Sequence, residues 1–517
     1  MLKPRTHRII YITLVTLLGG CMVCSTWASN LVWVLMGANW VLEGRWREKW
    51  QMARSSRLLQ AYLTLYLVLL IGMLWTSNLH FGWSVLQVKL PLLVVPLVML
   101  TTRPIVGRAR PMVLWVYAGT VLVVSLIALV RTLTMPDLPY RDAVPYISHI
   151  RFALNCCMVI FIMLSSECKA PSWVGSGRTA FSITFLIFRV LIVIWLLAFL
   201  LLIRSFTGIA VLTVVSLIIL ILRKRWALLG VWFVVVGGAA LAVGLEARSY
   251  YSMVPMADAP LKAVTANGRP YSHAQDGIIE NGNYINNYVC PTELRNEWER
   301  RSSLPYDAPT ASGYAVEPTL VRYLNAMGQT KDSAGVMAMT DADISAVERG
   351  IANPVYEGRN HLRKMVYTLL LEREYHRHTC AVSGFTMLQR FELWQATWHM
   401  VQDQPWLGAG TGDAVDAMHA ELAAMDSELS GTTKRTHCEY LSILAMVGFI
   451  GFTIVVLMFL RPLLTSRPKA LTGIMLAWML TILISFITED TINTLAGILF
   501  CTWFLAFREK GRKIFCQ

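Results

Sequence analysis

Arg204, Arg390 and His437 are the side chains whose types and placement could do chemistry, and each supports two readings. Arg204 lies between the apolar runs 190–203 and 209–222. An arginine at a membrane boundary is costly and marks function by default, or it snorkels as an anchor. His437 stands where an apolar run begins. There it is either a group that titrates near neutral pH or a solvated or capping residue. Arg390 opens an amphipathic helix with Leu393, Trp394 and Trp398 on its apolar side, and Pro405 ends it. Gly408-Ala409-Gly410-Thr411-Gly412 follows. Its turn either cradles an anion with backbone N–H groups or only reverses the chain. With no strand before it, it is not a dinucleotide fingerprint.

Two patterns resemble metal ligands. Asp341-Ala342-Asp343 can chelate a divalent cation, but it precedes Ile344, Val347 and Ile351 at helical spacing, where acids cap a first turn. His376-x-His378-x-Cys380 alternates as a strand would and has no fourth ligand in view, so it reads as solvated loop. No metal is expected. Cys290 and Cys380 sit well inside a polar segment, where a disulfide is open to them in an oxidising compartment.

The elements that must position these residues belong to a membrane protein. Hydrophobic residues make up 55% of the 517 and charged residues 15%, with a mean hydropathy of +0.51. A soluble chain carries about 25% charge. A bilayer core needs about 20 apolar residues per helix. Twelve stretches qualify, near 9–26, 28–43, 58–76, 84–101, 112–131, 151–166, 180–203, 206–222, 226–245, 438–460, 470–487 and 491–507, the second being short. Loops on one side hold half of the 46 lysines and arginines, in clusters at 3–8, 45–57, 103–110, 169–178, 223–225, 461–469 and 508–513. The opposite loops hold few. Positive charge stays inside, so both termini are expected in the cytoplasm, which an even number of spans also demands. The net charge of +14 is thus a topology signal, and no nucleic-acid partner is expected. Lys3-Pro4-Arg5 and Leu18-Gly19-Gly20-Cys21 could pass for a cleaved signal with a lipid-attachment cysteine, but cleavage would break the charge alternation that follows.

Residues 246–436 form the one large polar segment, expected on the outer side. Stretches 288–300, 317–328, 341–352 and 360–376 read as helices, and no stretch alternates with period two, so a mainly helical cap is expected. The chain accordingly divides into 1–245 with nine spans, 246–436 as the outer domain, and 437–517 with three spans and a tail.

The order of these motifs carries a resemblance. Arg390-x-x-Leu393-Trp394, then Asp403-x-Pro405-x-x-Gly408-x-Gly410, then His437 leading into Gly448-x-x-Gly451, resembles the O-antigen ligase superfamily. That superfamily also holds O-antigen polymerases and protein O-oligosaccharyltransferases. Ile203-Arg204-Ser205 is similar to the family's Ser-Arg-Ser element, and Ser148-His149-Ile150-Arg151-Phe152 is in the style of versions from Bacteroidetes. One departure stands out. The family often has His-Asn at the point where this chain has His437-Cys438, which leaves the histidine's orienting partner open.

The resemblance implies an all-α, GT-C-like polytopic protein of about twelve spans in a bacterial inner membrane, with a periplasmic cap between helices nine and ten. It implies transfer of a glycan from undecaprenyl diphosphate to a lipid A–core hydroxyl, or to a growing glycan, with inversion and with no cofactor or metal. Arg204 and Arg390, with Arg151 as a weaker third, would bind the diphosphate through permanently charged, bidentate hydrogen bonds. His437 would be the general base. Glu489 and Asp490, at the outer mouth of the last two spans, are acceptor-binding candidates or simple helix terminators. A transporter of lipid-linked sugars is the alternative from another class. It should show internal repeats and broken spans near the midplane, and no convincing repeat is present.

Overall fold

All twelve apolar stretches are helical in the computed structural model, which describes residues 3–135, 138, 142–165, 179–251, 261–274, 277–358, 360–379, 386–432, 435–464 and 473–508. They are α1 (Pro4–Cys24), α2 (Thr26–Leu42), α4 (Arg57–Ile71), α5 (Leu79–Thr101), α6 (Ala109–Thr134), α7 (His149–Leu164), α8 (Thr179–Leu202), α9 (Phe206–Leu222), α10 (Trp226–Tyr251), α18 (Glu439–Leu464), α19 (Ile474–Thr488) and α20 (Leu495–Trp503). Among the described residues, seven are long and apolar enough to cross a membrane: α1, α4 with the turn after it, α5, α6, α8, α10 and α18. α7, α9, α19 and α20 are shorter apolar helices. Helix is the form that satisfies every backbone group without water, which is why apolar sequence folds this way in lipid.

Two compact units divide the chain. The first holds 1–226 and 390–517, the second 227–389. This boundary falls inside the polar segment, so residues 390–436 cluster with the apolar helices and not with residues 246–389.

In the first unit α1 packs on α2, α6 and α20, α5 on α4 and α20, α4 on α18, and α7 on α8, α9 and α19. α20 is buried on all sides from Gly497 through Trp503. Its backbone carbonyls accept from other helices: Tyr62 Oη donates to Cys501 O (2.7 Å) and Trp478 Nε1 to Phe500 O (2.8 Å). Between α2 and α4 lies an unexpected element, the charged amphipathic helix α3 (Trp46–Ser55). α16 (Thr386–Asp403) and α17 (Ala414–Ala424) precede α18. On α16 Leu393 is buried, as its apolar stripe requires, whereas Trp398 is exposed.

The second unit is mainly helical: α10, α11 (Pro291–Arg301), α12 (Val316–Ala326), α13 (Ser333–Met337), α14 (Asp341–Glu348) and α15 (His361–Thr379). A two-stranded hairpin joins them, β1 (Ile279–Glu280) with β2 (Asn283–Tyr284). Leu294, Trp298, Leu320, Tyr323 and Val347 form its core. Asp341 and Asp343 open α14, and Asp343 forms a capping box with Thr340. Thr340 Oγ1 accepts from Asp343 N, the Asp343 carboxylate accepts from Thr340 N, and Asp341 pairs with Arg301 (3.0 Å). His376 and His378 lie in the last turn of α15, not in a loop, and Cys380 lies outside the described residues. Cys290 is a buried thiol at the start of α11.

Candidate active site

The short loop after α19 gathers residues from across the first unit. Its first residue, Glu489, accepts from Arg390 Nη2 of α16 at 2.7 Å, with Glu489 buried and Arg390 half-buried. The next, Asp490, divides its carboxylate. One oxygen takes the backbone N–H of His437 (3.1 Å) and the other takes Ser442 Oγ of α18 (3.0 Å). Arg151 Nη2 of α7 donates to the carbonyl of Asp490 (3.3 Å). Ile492 is held at both backbone groups. Its N–H donates to Glu439 Oε2 (2.9 Å), and its C=O accepts from Lys89 Nζ of α5 (3.1 Å), which also reaches Asn493 Oδ1 (2.6 Å). Three cations thus face three carboxylates, and the exposed Arg435 adds positive charge nearby. A buried network of this kind is rigid only when its members are all paired.

Some of its atoms are not paired. Among the described residues, Arg151 Nε, Arg390 Nε and Glu439 Oε1 are buried without a hydrogen-bond partner. Burial pushes the Glu489 carboxyl up to about 6, against the pull of Arg390 and Arg151.

Arg390, Arg151, His437, Glu489 and Asp490 therefore share one site. Arg204 stands on the left-handed turn between α8 and α9, half-buried, with φ +49°. Ser205 caps α9 by accepting from Gly208 N (3.2 Å), and Gly208 packs against Ala153, two residues beyond Arg151. The N-terminal ends of α7 and α9 thus meet, and Arg204 and Arg151 stand at the same end of the bundle. The two acceptor-binding candidates are engaged within the protein, Glu489 with Arg390 and Asp490 with His437 and Ser442.

His437 also takes a left-handed conformation, with φ +51°. Its support comes from two directions. Trp394 Nε1 of α16 holds the carbonyl of Thr436 (2.9 Å), and Asp490 holds the histidine's own N–H. Cys438 occupies the N-cap of α18, its sulfur facing the N–H groups of Tyr440 and Leu441. An asparagine there would do the same, since N-cap residues accept from the first turn. The departure from the family pattern touches the helix cap, and the histidine backbone is held from elsewhere.

The glycine turn is a structural splice. α18 is interrupted at Gly448 (φ 62°, ψ −175°). A break frees backbone groups that lipid cannot satisfy. Ala409 N and Gly410 N donate to the carbonyls of Ala445 and Met446 (2.9 and 3.1 Å), while Phe449 N and Ile450 N donate to those of Pro405 and Trp406 (2.8 and 3.2 Å). A Cβ at Gly408 would strike Ala445 O, and one at Gly448 would strike Trp406 O. Gly408 N, Thr411 N and Gly412 N are bonded to Gln404 O, Gly72 O and Thr76 Oγ1. The turn's amides are all engaged, so it reverses the chain and does not cradle an anion.

Beside the site an apolar cavity of about 320 Å³ runs between α4, α18 and α19. Tyr440, Phe486 and Ile492 line it near the loop, and Leu58, Leu460 and Pro462 line it toward the other end of α18. Among the described residues no cluster of three or more His, Cys, Asp or Glu could hold a metal ion.

Lys89, Glu439 and Ser442 are the site residues that sequence reasoning missed. Lys89 carried a readable signal: it is a charged residue inside an apolar run, which marks function by default.

These features define a helical, multi-pass membrane protein with a charged site at one end of its bundle. Residues 360–456 match the family model described as O-antigen ligase. The match supports the O-antigen ligase-like superfamily, a group of glycosyltransferase-like enzymes that includes ligases and polymerases. It spans Arg390, the glycine turn, His437 and the break in α18. No curated protein matches the chain.

Proposed function

We propose that the protein is an O-antigen ligase, moving a glycan from undecaprenyl diphosphate to a lipid A–core hydroxyl on the periplasmic face of the inner membrane. The observation that supports it most is the convergence on the 489–493 loop. Two guanidinium groups and a histidine, far apart in sequence, meet there, and both arginines retain an unpartnered Nε. Arg390 and Arg151, with Arg204 from the neighbouring helix end, hold the diphosphate and its growing negative charge. The acceptor oxygen attacks the anomeric carbon as the bond to the diphosphate oxygen breaks. The lipid diphosphate leaves with the electron pair, and the hydroxyl proton passes to the His437 ring. Attack opposite the leaving group inverts the centre. Glu489 and Asp490 act as ties that hold Arg390 and His437, and the apolar cavity beside Tyr440 and Ile492 suits the lipid chain of the donor. The fold in this reading is GT-C-like, with twelve spans and cytoplasmic termini, and 246–436 is exported.

A polymerase uses the same donor with a second lipid-linked glycan as acceptor, and a protein O-oligosaccharyltransferase uses a protein hydroxyl. The break in α18 is a feature that a transporter of lipid-linked sugars would share. Its four freed groups are taken by residues 405–410, which leaves them closed to an ion.

The test supplies purified protein with lipid-diphosphate glycan and either lipid A–core or a second lipid-linked glycan. Ligase activity predicts product with lipid A–core only, lowered about 10²–10⁴-fold by His437→Ala in protein that still folds. Product with the lipid-linked acceptor alone makes it a polymerase. Unchanged turnover in His437→Ala overturns the transferase reading.

A further inference from the structure

At the opposite end of the first unit lies a cavity of a different kind. It has a volume of about 290 Å³ and is lined by Arg5 and Arg8 of α1, Glu43 after α2, Arg45, Glu48 and Lys49 at α3, and Thr101–Arg103 at the end of α5. α5 fixes how far it is from the active site. Its Lys89 reaches the 489–493 loop, while its last residue Thr101, twelve residues further on, lines the cavity. Those twelve residues span about 18 Å, roughly half of the bilayer core.

The charges of this cavity do not cancel. Glu43 pairs with Lys49 (3.0 Å) and lies 3.8 Å from Arg45, and Glu48 is paired with Arg45. Both acids are therefore matched on one wall. Arg5, Arg8 and Arg103 have no carboxylate partner among the described residues. Arg8 is fixed in place, its guanidinium donating to the carbonyls of Arg103 and Pro104. Those bonds orient it, and the nearest acid, Glu43, is already shared with Lys49 and Arg45. Three cations around one cavity attract an anion of multiple charge.

The rim shows where that anion comes from. α3 exposes Trp46 and Trp50, with Arg54 stacked over Trp50 at 4.9 Å. Trp46 packs edge-on against Trp40, whose Nε1 donates to Thr101 Oγ1 (2.8 Å). Exposed tryptophans beside cations on a charged amphipathic helix are the signature of a segment lying at headgroup level. The cavity thus opens where phospholipid phosphates stand.

We infer that this cavity binds the phosphate head of an anionic phospholipid, at a site separate from the active site and on the side of the basic loops. Arg5 and Arg103 contact the phosphate oxygens from the exposed rim, Arg8 adds charge from below, and α3 seats the glycerol backbone beside Trp46.

Full-length protein in neutral detergent tests this, titrated with cardiolipin, phosphatidylcholine or inorganic phosphate, with lipid adducts counted by native mass spectrometry and melting temperature followed in parallel. Cardiolipin should bind and raise the melting temperature, and phosphatidylcholine should not. Each cation near a membrane surface contributes about 1 kcal/mol, so Arg5→Gln with Arg103→Gln should weaken cardiolipin binding roughly 30-fold. The exposed pair Arg223→Gln with Arg225→Gln, on another basic loop, removes the same charge and should leave binding unchanged. If the first pair does not fold, Arg5→Gln alone should weaken binding about 5-fold. Equal stabilisation by inorganic phosphate would make this a free-anion site and overturn the inference. So would equal losses in the two pairs, which indicate diffuse surface charge, or full binding in Arg5→Gln with Arg103→Gln.

Discussion

The second unit buries Glu280 against Arg322, and the first buries Glu489 against Arg390. The two networks use the same residue types and differ in how completely they close. Arg322 grips Glu280 through Nε and Nη2 (2.9 and 3.0 Å), and Asn353 Nδ2 takes the same carboxylate (3.0 Å). Asn325 holds the Glu280 carbonyl (2.9 Å) and accepts from the buried Lys331 (2.8 Å). Each of these members has a partner; the neighbouring turn residue Asn281 is the exception. Around the 489–493 loop, by contrast, Arg390 uses one nitrogen on Glu489, and Nε of both Arg390 and Arg151 stays unpartnered in a buried setting. A protein pays for such orphans with stability, and an anionic substrate is the partner that would complete them. The closed network holds hairpin β1–β2 to α12, whereas the open one leaves two guanidinium donors unpaired, which the proposed function assigns to the diphosphate.

Breaking the closed network should have the largest effect. Arg322→Met leaves Glu280 charged and enclosed, which should cost about 3–5 kcal/mol of stability in chemical denaturation. Adding Glu280→Met should recover most of that, because the pair is then replaced by apolar packing. A loss under about 1 kcal/mol in the single variant would show that the pair is solvated.

Arg390→Lys sharpens the contrast from the other side. The ammonium keeps the charge opposite Glu489 but loses the planar fork. Turnover should fall about 10²–10³-fold, as when one aligned donor to a developing anion is removed, with the denaturation midpoint nearly unmoved. If stability drops as in Arg322→Met while the folded fraction keeps full turnover, the first network is structural as well, and the comparison fails.

Much of this was legible locally. Apolar runs announced the helices because lipid leaves no alternative. Mixed-face periodicity placed α11, α12, α14 and α15. Arg390 and His437 were visible as polar residues leading into apolar structure, and Glu489 and Asp490 as acids between two spans. Partners were not legible. Lys89 meets Ile492 and Asn493 some 400 positions away in sequence, and no periodicity encodes that pairing. The break at Gly448 was hidden because its hydropathy is that of an intact span, and only the insertion of residues 405–410 makes it tolerable. Arg189, inside α8, was passed over as well; it donates to Ser165 O (2.7 Å) at the end of α7. α3 was read as a basic loop because its apolar face is too short to register beside the spans.

The smallest effect separates tie from ligand at Glu489. Its folded-state value is about 6, raised by burial above an ordinary 4.5. Between those values the folded protein binds more protons than the unfolded chain, so stability falls as pH rises from 4.5 to 6, and the full cost persists above 6. A shift of this size corresponds to about 2 kcal/mol. Glu489→Gln removes this one proton exchange, so its stability should fall less across that window than the native protein's, and relative to the native protein it should gain most near pH 7. Its turnover should fall much less than that of Arg390→Lys, because Arg390 keeps an acceptor in the amide oxygen. Melting temperatures of both proteins at pH 4.5 and 7 decide the first point. If Glu489→Gln instead abolishes turnover at both pH values while holding its stability, Glu489 contacts the substrate directly, and the line between ties and donors in this site must be redrawn.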